Sequence, residues 1–232
     1  MPVGTDAILL GGWVNLASVE APKILEIGTG CGIISLILAS RLHAQKKTFQ
    51  IEAIDIDHKS ICEARDNFIK SAWSNSIFTN QIDFRCYKDS AKFDLIISNP
   101  PFFNSGPTSE HNNRANARHQ SANSITWKEL LYGAKQLLSP QGKIAVILPQ
   151  SFEDDINRSI MEYGLHIYRI ATLQSKESVL PKRILIEVGL KLPTEKPVKE
   201  VIIQYQTDGK WHSTYRTHTH FIHHPDYSEK FL

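Results

Sequence analysis

The segment KILEIGTGCGIISLILASRL (23–42) constrains this chain more than any other. A short Ile/Leu run, a turn with glycines at 28, 30 and 32, and a longer apolar run of helical length spell strand, tight turn, helix. The alternation continues. FQIEAIDI (49–56) predicts a strand, followed by a helix over about 58–70. IDFRCY (82–87) and FDLIIS (93–98) predict two more strands, and a polar stretch over 104–124 leads to a helix over about 125–138. GKIAVILP (142–149) and SFEDDINRSIMEYG (151–164) again read strand then helix, while AILLGGWVNLA (7–17) predicts an N-terminal helix capped by Thr5 or Asp6. After residue 164 the helices stop, and strands at 165–173, 183–191 and 200–206 follow one another.

Strands of near-continuous Ile, Leu and Val separated by helices are buried on both faces. The predicted fold is therefore α/β, a Rossmann-like, mostly parallel sheet with an antiparallel C-terminal hairpin at one edge. No repeat, linker or low-complexity segment divides residues 1–232, so one domain is expected. At 41% hydrophobic and 22% charged residues the chain supports a sizeable core and is not of disordered composition. Its net charge of +2 leaves nucleic-acid binding to a local patch.

Cys31, Cys62 and Cys86 form no CxxC pair, which argues against a disulfide framework or a zinc site. No apolar run approaches the roughly 18 residues of a membrane span, and the N-terminus lacks the basic and apolar regions of a signal peptide. A cytoplasmic protein is expected.

Gly28, Gly30 and Gly32 sit where a doubly wound sheet receives a nucleotide, at the carboxyl end of its first strand. The spacing is not GxGxxG, because Ile33 stands where the third glycine of a dinucleotide fingerprint belongs. It is not a phosphate loop either, since no Lys-Ser/Thr follows. Glu26 before the first glycine and Asp55 at the end of the next strand suit a cationic, phosphate-free ligand, S-adenosylmethionine, with Asp55 accepting from ribose hydroxyls. Asp57 is an alternative to Asp55, and Asp89 is a candidate for the adenine amino group.

The fourth strand runs into Asn99-Pro100-Pro101-Phe102-Phe103. Pro101 keeps Pro100 extended, each proline fixes its own φ, and neither offers an N–H. The Asn99 side-chain oxygen and the Pro100 carbonyl can together accept from one planar NH2 group, with Phe102 as a flat apolar face for a ring. Such acceptors favour the developing positive nitrogen of a methyl transfer and hold it in line with the methyl group. Asn99, Pro100 and Phe102 are the expected catalytic residues.

In these segments, and in VGTDAILLGGW, RANARH and LPKRILIEVGL, the chain resembles the class I S-adenosylmethionine-dependent methyltransferases. More narrowly, it resembles the tRNA1(Val) (adenine(37)-N6)-methyltransferase family. The resemblance implies a seven-stranded sheet, S-adenosylmethionine as cofactor, and methylation of N6 of adenosine 37 in tRNA. It assigns Gly28, Gly30 and Asp55 to the cofactor, and Thr5 and Asp6 to a segment (within residues 1–20) that covers the cofactor's methionine end. The residues alone leave rRNA guanine, protein glutamine or DNA adenine open as substrates, and also a catalytically silent RNA-binding protein of the same fold. Relative to that family the chain starts at the VGTD segment, and the stretch between the third strand and FDLIIS is short.

Reaching a stacked adenine requires turning it out of the loop. Arg114 and Arg118 are candidates for the flanking phosphates, Lys182 and Arg183 for the same role, and Pro101 and Phe103 for the base's surroundings. Five histidines lie at 212, 218, 220, 223 and 224 in a C-terminal extension over 193–232. They lack carboxylate or cysteine partners at ligand spacing, so no metal is expected and an exposed polar end or an RNA rim is.

Overall fold

The structure, a computed structural model, describes residues 4–17, 19–88, 92–100 and 125–222. Eight strands form one sheet: β1 (Lys23–Ile27), β2 (Gln50–Asp55), β3 (Ile77–Gln81), β4 (Phe93–Ser98), β5 (Leu138–Pro149), β6 (His166–Gln174), β7 (Arg183–Gly189) and β8 (Val198–Ile203). Their order is β3-β2-β1-β4-β5-β7-β6-β8. Every neighbouring pair is parallel except the two that involve β7. The first five strands therefore end at one carboxyl edge, and β7 starts there, with Arg183 opposite Pro149.

Alternation along each strand sends side chains to two apolar layers. One layer packs the sheet against α1 (Thr5–Trp13), α2 (Ile33–Ala44), α3 (His58–Ile69) and Tyr215 of α6 (Ser213–Thr219). The other packs it against α4 (Trp127–Leu137) and α5 (Glu153–Glu162). Thr126 opens α4 with a capping box: its hydroxyl accepts from the Glu129 N–H, and the Glu129 carboxylate accepts from the Thr126 N–H.

The sheet has eight strands where the resemblance implies seven, and four further expectations differ from the structure. The third strand is Ile77–Gln81, and the predicted strand over 82–87 is a loop with one 3-10 turn, Phe84–Cys86. The edge strand IFTNQ buries only Ile77, so it carries no apolar pattern to read. Ile82, Phe84 and Tyr87 are apolar because they pack beneath the sheet from a loop. With β3 ending at Gln81, the connection to β4 spans residues 82–92 and is no longer short. The N-cap of α1 is Gly4, not Thr5 or Asp6, and no side chain caps it. The β6–β7 hairpin does not end the sheet, because β8 adds outside β6 in parallel.

The C-terminal extension is docked as far as it is described. Trp211 lies stacked between Tyr205 and buried Tyr215, with ring centroids 4.8 and 4.9 Å away. A Cβ on Gly12 would stand 1.8 Å from the His218 carbonyl, so glycine there lets α1 and α6 touch backbone to backbone.

Candidate active site

The site is built on the turn after β1. The Gly28 and Thr29 N–H groups both donate to the Ile54 carbonyl, at 2.9 and 3.0 Å, which bends the chain across the end of β2. Gly28 and Gly32 have φ of +73° and +83°, in the left-handed region that glycine tolerates. Their surroundings differ. A Cβ on Gly32 would meet the Phe68 ring at 2.4 Å, so that position is closed by packing. A Cβ on Gly28 would meet no described atom within 4 Å, so the described packing leaves the main chain there open to approach. Gly32 is also the N-cap of α2, whose first N–H groups face the same edge.

Glu26 lies beneath this turn, buried, on the β1 face that packs against α2. Its Oε2 accepts from the Thr29 hydroxyl at 2.9 Å, from the Ser35 N–H at 3.1 Å and from the Ser35 hydroxyl. Among the described residues its Oε1 has no hydrogen-bond partner. Burial pushes its carboxyl up to about 7, against the pull of the hydrogen bonds from Ser35 and Thr29, and the Asp55 charge adds to the rise.

Asp55 closes the other side of the loop. Its Oδ2 accepts from the Gly30 N–H and its Oδ1 from the Asp57 N–H, both at 2.9 Å. Asp57 itself is the N-cap of α3, accepting from the Ser60 N–H at 2.9 Å, and that bond holds its carboxyl below the ordinary range. Asp57 thus starts a helix, while Asp55 lies against the glycine loop through its bond from the Gly30 N–H.

Ser98 is the register partner of Ile27, and its hydroxyl donates to the Ile27 carbonyl at 2.8 Å. That pairing brings Asn99 next to Gly28 across adjacent strand ends. Asn99 is half-buried and Pro100 buried. Pro101, Phe102, Phe103, Asp89, Arg114 and Arg118 lie outside the described residues.

Asp6 and Arg183 meet. Arg183 donates from Nε to Asp6 Oδ2 at 2.7 Å, so a residue expected at the cofactor and one expected on RNA form an ion pair. Thr5 and Lys182 are exposed at the same edge. The Lys182 carbonyl accepts from the Gln150 N–H at 3.1 Å, tying the start of β7 to the end of β5.

A polar network that the sequence reading missed holds the far end of α1. Arg41 donates to the Gly11 and Val14 carbonyls at 2.6 and 2.9 Å. Arg169 donates to the Trp13 carbonyl at 2.7 Å, lies over the Trp13 ring, and pairs with Glu200 at 2.9 Å. Buried Glu187 accepts from the Asn15 N–H at 2.7 Å, and burial raises its carboxyl. The available signal was an acid inside an apolar strand, RILIEVG, as with Glu26 in KILEI.

The described histidines of the extension have structural roles and are not simply an exposed polar end. His212 caps α6, His218 pairs with Glu200 at 3.1 Å, and His220 bonds the Thr217 carbonyl. Among the described residues no three His, Cys, Asp or Glu side chains gather as a metal set.

The fold and this carboxyl-edge cradle define a class I methyltransferase. The methyltransferase small domain family matches residues 7–166. A predicted O-methyltransferase from Agrobacterium tumefaciens superposes with a TM-score of 0.68 at 15% identity, covering 93% of this chain and 95% of its own. The glycopeptide N-methyltransferase MtfA, solved with S-adenosyl-L-methionine, gives a TM-score of 0.57 at 11% identity, covering 81% and 87%.

Sequence relatives are closer. The tRNA1(Val) (adenine(37)-N6)-methyltransferase of Bacteroides thetaiotaomicron is 32% identical over 96% of this chain and 91% of its own length. The enzyme of the same name from Trichodesmium erythraeum is 36% identical over 89% and 85%. The chain belongs to the tRNA1(Val) (adenine(37)-N6)-methyltransferase family.

Proposed function

We propose that this protein transfers a methyl group from S-adenosylmethionine to N6 of adenosine 37 in tRNA1(Val), acting in the cytoplasm. The observation that carries the reading is the Ser98–Ile27 register, which brings Asn99 beside the open Gly28 position. Methyl donor and amine acceptor can then meet at one point on the sheet edge.

The residues present fit the cofactor. Glu26 Oε1 is a buried acceptor with no partner among the described residues, suited to a cationic group. Asp55 has acceptor capacity left on both oxygens for a ribose diol. Gly28 leaves room for close approach. When bound, the cofactor supplies an electrophilic methyl on a sulfonium. Asn99 and Pro100 do the rest: their carbonyl oxygens accept from the two N6 hydrogens and turn the nitrogen lone pair toward the methyl group. They stabilise the positive nitrogen as it forms. The surplus proton leaves to water, so no dedicated base is required. Phe102 stacks on the extruded adenine.

The test is Asn99→Ala. Methyl transfer to tRNA falls by at least about a hundred-fold, the magnitude of losing one transition-state hydrogen-bonding group, while S-adenosylmethionine binding stays near wild type. Undiminished turnover in that variant contradicts the mechanism.

A further inference from the structure

The Asp6–Arg183 pair departs from what the sequence suggests for either residue. α1 runs inward from the carboxyl edge, where Asp6 meets Arg183, to the sheet row of Glu26, Ala145 and Glu187, where Trp13 meets Arg169. α2 runs the same way beside it: Gly11 packs against Ile37, and Arg41 caps the end of α1. Counting back five residues along each helix from the Gly11–Ile37 contact brings Asp6 level with Gly32. The first turn of α1 therefore lies alongside the glycine loop.

The two ends of α1 are held unequally. The far end is fixed by Arg41, Arg169 and the buried Trp13 ring. The near end has no side-chain cap at Gly4, Thr5 is exposed, and among the described residues the side-chain tie to the sheet is the contact from Arg183. The acid sits in the first helical turn, where the helix dipole also favours it. Arg183 is anchored in turn, opposite Pro149 and Leu173 in the sheet, with its Nη1 donating to the Lys182 carbonyl at 3.2 Å.

We propose that Arg183 is a positioning residue for the cofactor: by holding Asp6 it fixes the first turn of α1 against the glycine cradle, and it does not bind RNA. This rests on the S-adenosylmethionine reading of the cradle. The guanidinium that the sequence offers to phosphate is already engaged by Asp6, and Lys182 is exposed beside it.

The experiment compares wild type, Arg183→Gln, Asp6→Asn and the double variant by calorimetry with S-adenosylmethionine. The same proteins are measured by filter binding with tRNA across a salt series, and thermal melts report folding. Each single variant weakens cofactor binding about five-fold, the scale of a partly exposed ion pair, and the double variant is no weaker than either single one. tRNA affinity and its salt slope stay at wild-type values. An Arg183→Gln protein that keeps cofactor affinity but loses tRNA affinity with a shallower salt slope overturns the proposal and makes Arg183 a phosphate contact. A cofactor loss that is additive in the double variant also overturns it. If wild type itself binds no S-adenosylmethionine, the reading of the cradle falls, and the proposal with it.

Discussion

Ser35 grips Glu26 twice, with its backbone N–H and with its hydroxyl, and both donate to Oε2. One strand and the helix that follows it are thereby joined under the glycine loop by a carboxyl that is entirely buried. The consequence is an asymmetric acid: among the described residues one oxygen accepts three hydrogen bonds and the other none. A buried acceptor without a partner is costly.

Glu26→Gln tests that cost. Glu26 titrates near 4.5 when unfolded and near 7 when folded, so folding takes up a proton between these values. Its contribution is favourable below 4.5, declines as pH rises, and is fully lost above 7, a difference of about 3 kcal/mol. The glutamine variant lacks this slope. In urea unfolding without cofactor, it gains on wild type between pH 5 and pH 8, while its S-adenosylmethionine affinity drops. Parallel pH profiles for the two proteins contradict the assignment.

Two glycines of the same loop respond differently to alanine. Gly32→Ala drives a Cβ into the buried Phe68 ring at a left-handed φ, and loses about 3 kcal/mol or more of stability. Gly28→Ala meets no atom and loses only about 1–2 kcal/mol for its φ, but the methyl enters the ligand's space. Thermal melts separate the first variant from wild type, and cofactor calorimetry separates the second.

Glu200→Gln loosens the docking of α6 on α1. Burial opposes its charge, but hydrogen bonds from His218 and Trp13 and the Arg169 charge outweigh it, pulling its carboxyl down to about 2. That stabilisation is present above pH 4.5 and is lost as pH falls toward 2. At pH 7 the variant loses about 1–3 kcal/mol, from hydrogen bonds to a charged group. Melting curves at pH 7 and pH 3 check this: the gap from wild type narrows at the lower pH.

The doubly wound core was legible because its strands are apolar without interruption and its helices follow at short intervals. Glu26, Gly28, Asp55 and Asn99 were legible as a set because each closes a strand or opens a turn at one edge, where chemistry-bearing residues stand out against Ile and Leu. β3 was not, since an edge strand that buries one residue has no pattern. The Asp6–Arg183 pair was not either, because 177 residues separate the partners and each alone suits a ligand. The network of Arg41, Arg169, Glu187 and Glu200 joins four distant segments, and only the packing of α1 and α6 brings it together.

The proposed reaction is methyl transfer to one amino group of one nucleoside. Purified protein, S-adenosylmethionine and a tRNA1(Val) transcript, digested and read by nucleoside mass spectrometry, test it directly. The expected product is N6-methyladenosine at one equivalent per transcript, abolished when adenosine 37 is replaced by guanosine. N6-methyladenosine that survives this replacement, a methylated guanine in its place, or no methylated nucleoside at all contradicts it.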